Sequence, residues 1–389
     1  MVQRLVVRDH ADAQAVAIVD ESGHPKKGSK TACVQRQYCG ASGKIDNCVM
    51  SVHLCYASFD GTFRAMLDSD LYLPQSWADD EDRRREAKVP DAVEYRPKHH
   101  VALEQLRHAV EDNGMRFGWV VADEWYGEKP AFIEGLEALG LRFVLEIPKN
   151  LMGWVREPKD AEVRRGEVRD LVRWSAPMLR QEWVDFHVKD TGMGAMVWEV
   201  RAAPFWMKRD DAVVGPYWLI AARDRLDQDE VKYFLSNAPA GVPLEVVMHV
   251  AFGRWPVERC IEDEKSELGL GHFECRKYGA VLRHLRITQV SHLFLARQAQ
   301  RLAGGKSGGD GLPGARRGRR AAGRADAERR GGPEAAAGEG RAGHPGDSAA
   351  QRRRPGVARQ GASAEAARPG RLRRGTAVLH PAATARVAL

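Results

Sequence analysis

The stretch Ala15–Lys30 reads A-V-A-I-V-D-E-S-G-H-P-K-K-G-S-K and contains the first predicted strand. Its apolar run, Ala15–Val19, is rich in β-branched residues and too short for a convincing helix, so it predicts a buried strand. Asp20 follows this run, and the turn formers Ser22-Gly23 and Pro25 predict that the strand ends there. Open α/β sheets place ligand-binding groups at the carboxyl ends of buried strands, which makes Asp20 a candidate site residue. The alternative is that Asp20 only caps the following turn.

A second acid occupies the same setting later in the chain. The stretch Phe117–Gly127, F-G-W-V-V-A-D-E-W-Y-G, predicts another buried strand that ends on Asp123. The first three predicted strands indicate an antiparallel meander, and the alternation of strands and helices after them predicts a mixed α/β sheet. The other elements predicted within residues 1–150 are strands at Ala32–Tyr38, Asn47–Ser58 and Leu141–Ile147, and helices at Lys98–Asn113 and Pro130–Leu139.

The pattern changes between Met152 and Pro243, where apolar runs rich in aromatic residues alternate with charged turns. We interpret 151–243 as a β-rich insertion that separates a first part of the catalytic domain, 1–150, from its helical end, 244–302. Within the insertion the patterns predict strands at Val168–Ser175, Met196–Met207 and Pro216–Asp224, and a short helix at Val231–Ser236.

Residues 303–389 differ from the rest of the chain in composition. They contain 17 Arg and 1 Lys against 7 acidic residues, and therefore carry +11 in a chain whose net charge is +7. They contain no Phe, Tyr or Trp, and Gly, Ala and Arg make up 57 of these 87 residues. Such a segment cannot bury a core, so it predicts a disordered tail. The basic balance permits nucleic acid as a partner without requiring it.

The six cysteines predict reduced thiols, because none forms a C-x-x-C pair and their spacing matches no zinc site. The first residues of the chain are charged, unlike a secretory signal, and no apolar run reaches the length of a membrane span. These features predict a cytoplasmic protein without a membrane partner.

A third acid, Glu258, lies in a segment predicted to be helical. At about 100° per residue, Arg254, Glu258 and Lys265 project from one face of a helix that starts near Gly253. Pro256 agrees with that start, because proline is tolerated in the first turn of a helix. This polar stripe is either an exposed salt-bridge face or one wall of an active site.

The acids Asp20, Asp123 and Glu258 together suit metal-dependent phosphoryl transfer. Three carboxylates gathered at one sheet edge repel each other unless cations neutralise them. Mg²⁺ takes oxygen ligands, and two such ions about 4 Å apart stabilise both the attacking and the leaving oxygen of an in-line displacement. Arg254 and Lys265 would then bind backbone phosphates, which positions nucleic acid without reading its sequence.

Two lysines close to the first acid are further candidates for contact with DNA. Lys26 and Lys27 follow Asp20 in the predicted turn. As a turn pair they could equally be solvated, and the sequence leaves both readings open.

Three blocks of sequence carry a specific resemblance. They read V-D-E-S-G-H-P-K-K-G at 19–28 with Q-Y-C-G at 37–40, V-V-A-D-E-W-Y-G at 120–127, and R-W-P-V-E-R-C-I-E-D-E-K-S-E-L-G-L at 254–270. Over roughly residues 10–302 the chain resembles bacterial insertion-sequence transposases of the DDE (Asp-Asp-Glu) superfamily. The last block has the spacing R-x3-E-x6-K that one large branch shows after a Tyr, although Ala251 occupies the Tyr position here.

The resemblance implies a ribonuclease H-like fold in which Asp20, Asp123 and Glu258 are the catalytic residues and the metal ligands. The implied cofactor is Mg²⁺ or Mn²⁺, with two ions bound, and the implied partner is double-stranded DNA, with a homodimer as one expected assembly. The implied reaction is attack of metal-activated water on a phosphodiester at the end of the element, followed by attack of the freed 3′-hydroxyl on target DNA. The 134 residues between Asp123 and Glu258 fit the β-strand insertion of that branch.

Two departures from the family pattern lead to a rival hypothesis. Family members usually have a helical region before the first catalytic strand, and they continue beyond the final helix with ordinary sequence. Here the first strand is predicted near Ala15, and the composition changes near Gly304. We therefore expect a copy truncated at its N-terminus with an aberrant, frameshifted tail, and the rival function is an inactive remnant that only binds DNA. A nucleotide-binding α/β enzyme is disfavoured because no Gly-rich phosphate loop follows a predicted strand.

Overall fold

Twelve strands form one sheet in a computed structural model of the chain, which describes residues 1–159, 163–191, 194–253 and 255–304. The strands are β1 Val16–Pro25, β2 Gln35–Cys39, β3 Lys44–Ala57, β4 Arg64–Leu71, β5 Trp119–Ala122, β6 Phe143–Glu146, β7 Met152–Trp154, β8 Gly166–Glu167, β9 Val184–Thr191, β10 Gly194–Arg209, β11 Ala212–Asp224 and β12 Val231–Ser236.

The sheet is mixed, as the alternation of strands and helices predicts. Its strand order is β2-β3-β1-β5-β6-β12-β11-β10-β7-β8, with β4 paired to β3 and β9 paired to β10. Strand β1 runs antiparallel to β3 and parallel to β5, and β5 runs parallel to β6. The strands of residues 152–236 continue the same sheet, because β12 pairs with β6.

Helices lie on both sides of this sheet, and α4 ends in a π-helical turn at His108–Asp112. The helices are α1 Val2–His10, α2 Gln75–Ala78, α3 Glu81–Ala87, α4 Lys98–Arg107, α5 Glu124–Gly127, α6 Pro130–Ala138, α7 Val168–Trp174, α8 Ala176–Leu179, α9 Leu244–Phe252, α10 Trp255–Ser266 and α11 Tyr278–Gly304. No helix in the described ranges is long and apolar enough to span a bilayer.

Alternate residues of β1 enter two different apolar layers, because successive side chains of a strand point to opposite faces. Ala17 and Val19 belong to the layer that α4 and α6 cover. Val16 and Ile18 belong to the layer that α9 and α10 cover, which also includes Cys260 of α10. The even-numbered residues of β1 therefore face the helix that carries the third predicted acid.

The first strand is longer than predicted. It continues through Ser22-Gly23 to Pro25 because ten consecutive residues pair with β3, from Val16 opposite Ala57 to Pro25 opposite Cys48. Gly23 fits this strand for a steric reason, since a Cβ atom there would lie 2.6 Å from the Sγ atom of Cys39. Asp20 consequently lies in the middle of β1 and not at its end. The predicted meander is also wrong, because β3 lies between β1 and β2.

Two segments of the region 151–243 have the opposite secondary structure from the one predicted. Val168–Trp174 is helix α7, and its apolar residues at positions 168, 171 and 172 have the spacing of one helical face. Val231–Ser236 is strand β12, where Phe234, Leu235 and Ser236 are all buried because neighbouring strands and both apolar layers enclose them. The predicted strands at Met196–Met207 and Pro216–Asp224 are confirmed as parts of β10 and β11.

The helical end of the domain agrees with the sequence pattern. Helix α10 begins at Trp255 and has Pro256 in its first turn, and the break predicted near Gly269 separates it from α11. The domain boundaries at residues 150, 243 and 302 stay predictions. Arg254 and residues 305–389 of the predicted tail lie outside the described part of the chain.

Candidate active site

The structure places the first two predicted acids side by side on neighbouring parallel strands. Val16, Ala17 and Ile18 of β1 pair with the residues from Trp119 to Val121 of β5, and Asp20 and Asp123 each follow the last of these pairs by two residues. Asp123 keeps an extended backbone, with φ −77° and ψ 179°. Parallel strands lie about 4.8 Å apart, so residues in the same register present their side chains together on one face. Both acids are half-buried on the face that α10 covers.

Backbone N–H groups orient the two carboxylates. The Oδ1 atom of Asp20 accepts a hydrogen bond from the backbone N–H of Glu21 at 2.8 Å. The Oδ1 atom of Asp123 caps helix α5, accepting from the N–H groups of Trp125 at 3.1 Å and Tyr126 at 3.3 Å. An N-cap holds its carboxylate at the positive end of the helix dipole and favours its ionised form. The pair is therefore held in place by main chain on both strands.

The same row of residues continues across the sheet into a buried polar network. His53 of β3 pairs directly with Asp20, and Ser69 of β4 pairs with His53. The ring of His53 lies 2.8 Å from the Ser69 hydroxyl through Nδ1 and 2.7 Å from the Ser51 hydroxyl through Nε2. The Ser51 hydroxyl in turn lies 2.7 Å from Nε2 of His24. We call Asp123, Asp20, His53 and Ser69 the polar row.

Burial keeps the two histidines of this network neutral. It lowers the pKa of His53 to about 3, with the positive charge of Lys265 as a smaller cause. Burial also lowers the pKa of His24 well below its usual value, with proximity to His53 and the positive charges of Lys265 and Lys26 as smaller causes. The network thus supplies hydrogen bonds beside Asp20 without supplying charge.

Helix α10 brings Lys265 to the polar row. Burial lowers the pKa of Lys265, whereas the nearby side chains of Cys39 and Asp20 oppose that shift. The opposite flank of α10 is anchored elsewhere, because Asp263 pairs with Arg64 of β4 at 3.3 Å. The Lys265 flank therefore faces β1, where its ammonium group can neutralise part of the charge of the carboxylate pair.

Glu258 is exposed in the first turn of α10, on the same flank as Lys265. The two residues are seven positions apart, which separates them by about 10 Å along a helix. Across the described ranges, no group of three or more His, Cys, Asp or Glu side chains is close enough to hold a metal ion. The structure thus brings Asp20, Asp123 and Lys265 together, and the role of Glu258 as the third ligand stays a prediction.

The paired carboxylates suit a hard divalent cation. Their oxygens are the donors that Mg²⁺ prefers, and Mg²⁺ is typically held by one or two carboxylates together with water and substrate phosphate. The ammonium group of Lys265 repels a metal cation, but it can bind the anionic oxygens of a phosphate next to that cation. The donor set therefore fits the implied metal at Asp20 and Asp123.

The predicted DNA-binding lysines have different surroundings. Lys26 is engaged inside the protein, because its Nζ atom donates to the carbonyls of Gly271 at 3.1 Å and Phe273 at 2.6 Å, and lies 3.7 Å from the Phe273 ring centroid. Lys27 is exposed. Lys26 therefore holds the segment between α10 and α11 against β1, and Lys27 is the better placed of the two to contact DNA.

A second set of residues beside the acids was not predicted from the sequence. Glu21, next to Asp20, forms a salt bridge of 2.7 Å with Lys98 of α4. The Nζ atom of Lys98 also lies 5.0 Å from the ring centroid of Trp125, which follows Asp123 by two residues. These contacts tie both acid-bearing segments to α4. Glu21 is visible in the motif V-D-E, but no local sequence pattern indicates that Lys98 is its partner.

Comparisons with known proteins agree with the motifs. The family profile described as DDE superfamily endonuclease matches residues 1–190. A probable transposase for insertion sequence element IS701 from Microchaete diplosiphon is 26% identical over 266 residues, which are 68% of this chain and 60% of that protein. The chain thus aligns with about three fifths of the length of this curated relative.

Among solved structures, the NurA nuclease from Sulfolobus solfataricus matches 68% of this chain and 86% of its own chain at 9% identity. Its TM-score of 0.24 is too low to support a common fold. The sequence comparisons are the informative ones, and they confirm that this chain resembles an insertion-sequence transposase of the DDE superfamily.

Proposed function

We propose that the chain carries out divalent-metal-dependent cleavage and strand transfer of DNA at the Asp20–Asp123 pair. The observation that supports this proposal is the shared register of the two acids on parallel strands, under a helix that bears a lysine. A DNA phosphodiester is the substrate class that needs both a carboxylate-held cation and a positive side chain.

Asp20 and Asp123 would hold Mg²⁺ or Mn²⁺, with Glu258 as the proposed third ligand. When bound, the metal supplies Lewis-acid stabilisation of the charge that develops on the phosphoryl oxygens. Lys265 binds a non-bridging phosphate oxygen beside Asp20, which fixes the scissile group against the polar row. The N-cap of α5 keeps the Asp123 carboxylate from rotating away, so the site is organised before the substrate arrives.

Double-stranded DNA is the proposed partner, with Lys27, Lys265 and Arg254 as the contacts to its backbone. Such contacts give affinity that depends on salt and carry little sequence information. The strands of residues 152–236 lie between the second and third acids in sequence, and we propose that they are the β-rich insertion of the transposase branch. They would add protein surface for DNA beyond the carboxylate pair.

Nicking of supercoiled plasmid DNA by the purified full chain tests this proposal. We expect nicking in Mg²⁺ or Mn²⁺, none in EDTA, and about 10³-fold less in Asp123→Asn, since losing a metal ligand removes several kcal/mol of transition-state stabilisation. Asp46→Asn is the matched control, because Asp46 lies on β3 and its Oδ1 atom accepts only a local hydrogen bond from the Asn47 N–H at 2.8 Å. A folded wild-type chain that binds DNA and never nicks it would contradict the proposal.

A further inference from the structure

Helices α10 and α11 pack against each other through polar side chains, which is unusual for the interior of a domain. On α10, Cys260 and Glu264 face this contact; on α11, Thr288 and His292 do, and all four are buried. Glu264 lies against Thr288, and Cys260 lies against His292. Cys260 precedes Glu264 by one helical turn, and its neighbour His292 follows Thr288 by one turn, so the two helices run antiparallel. We call these four residues the polar seam.

Glu264 is the acid of this seam and is fully buried, with 0% of its surface exposed. In the part of the chain that the structure describes, neither of its carboxylate oxygens has a hydrogen-bond partner. The hydroxyl of Thr288 lies beside the Glu264 carboxyl group, and it donates a hydrogen bond to the carbonyl of Leu285 at 2.8 Å. A buried carboxylate without such partners is costly, so a carboxylic acid in this position is favoured to stay neutral.

The charged groups around Glu264 do not compensate for it. Arg64 of β4 and Arg259 of α10 both pair with Asp263, at 3.3 Å and 3.0 Å. Lys265 faces β1 and the negative charge of Asp20. The titratable groups of the seam itself are the Cys260 thiol and the His292 ring, and Cys55 of β3 lies 3.2 Å from Cys260, sulfur to sulfur.

We propose that Glu264 is a positioning residue, which in its neutral form seats α10 in the polar seam and so holds Lys265 beside Asp20. The proposal rests on the function proposed above, since it gives that site a pH-dependent support. Burial raises the pKa of Glu264 to about 8, and contact with Thr288 opposes the shift. Above that pH the carboxylate must reach water or a cation, and it can do so only if α10 moves away from α11.

Hydrogen–deuterium exchange of the full chain tests the movement without relying on activity. Peptides covering α10 are compared in wild type and in Glu264→Gln at pH 6.5 and at pH 9, so that the intrinsic pH dependence of exchange cancels. At pH 6.5 we expect the two proteins to be equally protected. At pH 9, where a group with a pKa near 8 is about nine-tenths ionised, we expect α10 to exchange about tenfold faster in wild type than in Glu264→Gln. Glu262→Gln is the matched control, because Glu262 is exposed on the same helix and pairs with Arg259 at 3.1 Å.

The pH profile of nicking tests the consequence for the site. The ratio of wild-type to Glu264→Gln nicking should fall about tenfold between pH 6.5 and pH 9, and the Glu262→Gln ratio should stay flat. Thr288→Val provides a second variant, since removing the hydroxyl that favours the ionised form should move the wild-type loss to higher pH.

The outcomes separate the two proposals. Coincident exchange and coincident pH profiles for wild type and Glu264→Gln would overturn the role of Glu264, whether or not DNA is nicked. The expected exchange difference in a chain that nicks at no pH would support the seating of α10 by Glu264 and would contradict the proposed function instead.

Discussion

The two halves of the polar row differ although one register of the sheet places them together. Asp123 and Asp20 are half-buried and reachable from solvent, whereas His53 and Ser69 are fully buried. All four lie on the same face of adjacent strands. The difference comes from what covers each half, because α11 packs against β4.

This contrast shows how a site of charged groups is kept next to a stable core. In the proposed function the carboxylates need access to water, metal and DNA, while the sheet beside them must stay closed. The neutral His53 ring can be buried because both of its nitrogens lie within hydrogen-bond distance of serine hydroxyls, which a second pair of carboxylates could not match. The boundary between the open half of the polar row and its buried half therefore lies between Asp20 and His53.

The largest effect should follow from changing the open half. Asp20→Asn should lower metal-dependent nicking about 10³-fold, since the amide oxygen is a poor ligand for a hard cation. The melting temperature should not fall, because the substitution removes repulsion between two neighbouring carboxylates. Calorimetry and plasmid nicking measured on one preparation check both parts. A large loss of stability in Asp20→Asn would contradict the division of the row into two halves.

The closed half should respond in the opposite way. His53→Ala should lower the free energy of unfolding by about 3 kcal/mol, because it opens a cavity and leaves the hydroxyls of Ser51 and Ser69 without their shared partner. Nicking per folded molecule should change by less than about tenfold. Urea unfolding measures the first quantity, with the exposed His100→Ala as control. Equal unfolding midpoints for the two variants would show that the network is not supporting the sheet.

Mild acid should weaken the closed half. The folded pKa of His53, about 3, lies below the unfolded value of 6.5, so the folded chain binds fewer protons between these values. Stability from this group is complete above pH 6.5 and declines as the pH falls toward 3, by about 1 kcal/mol per pH unit. Unfolding of wild type and His53→Gln between pH 7 and pH 4.5 should therefore converge. If the free energies of unfolding of the two proteins changed in parallel with pH, the result would contradict a buried neutral histidine at position 53.

The smallest effect should come from the exposed rim of the open half. Lys27→Ala should weaken DNA binding by about twofold at moderate salt, through the loss of one phosphate contact. Lys26→Ala should instead lower stability, since Lys26 holds the carbonyls of Gly271 and Phe273. Fluorescence anisotropy at two salt concentrations separates the two lysines. The reverse pattern, in which Lys26→Ala weakens DNA binding and leaves stability unchanged, would contradict the assignment of the DNA contact to Lys27.

The strands that bear the two acids could be predicted because their signals are local. Short β-branched runs followed by Asp20 and Asp123 indicate buried strands and candidate ligands without any knowledge of the rest of the fold. The start of α10 was predictable for a similar reason, since Pro256 is restricted by its own ring. The end of β1 was not, because ten cross-strand pairs with β3 outweigh the turn preference of Ser22-Gly23.

The remaining features depend on contacts between distant segments. His53 lies in a strand that was predicted correctly, yet only the pairing of β3 with β1 sets it opposite Asp20. Val231–Ser236 is a strand because β6 and β11 enclose it, and its short sequence is compatible with either structure. Residues opposite each other in a sheet share no local pattern, so their pairing cannot be derived from one of them alone.

The sequence by itself determined the family resemblance, two of the three acid-bearing elements and the place of the third on a helix. Tertiary structure decided which polar residues are reachable from solvent and which are buried. Glu264 shows the reason most directly, because it lies in the charged run E-D-E-K that would ordinarily be solvated. The packing of α10 against α11 and the sheet removes water from it, and burial is a property of the assembled elements that the run does not encode.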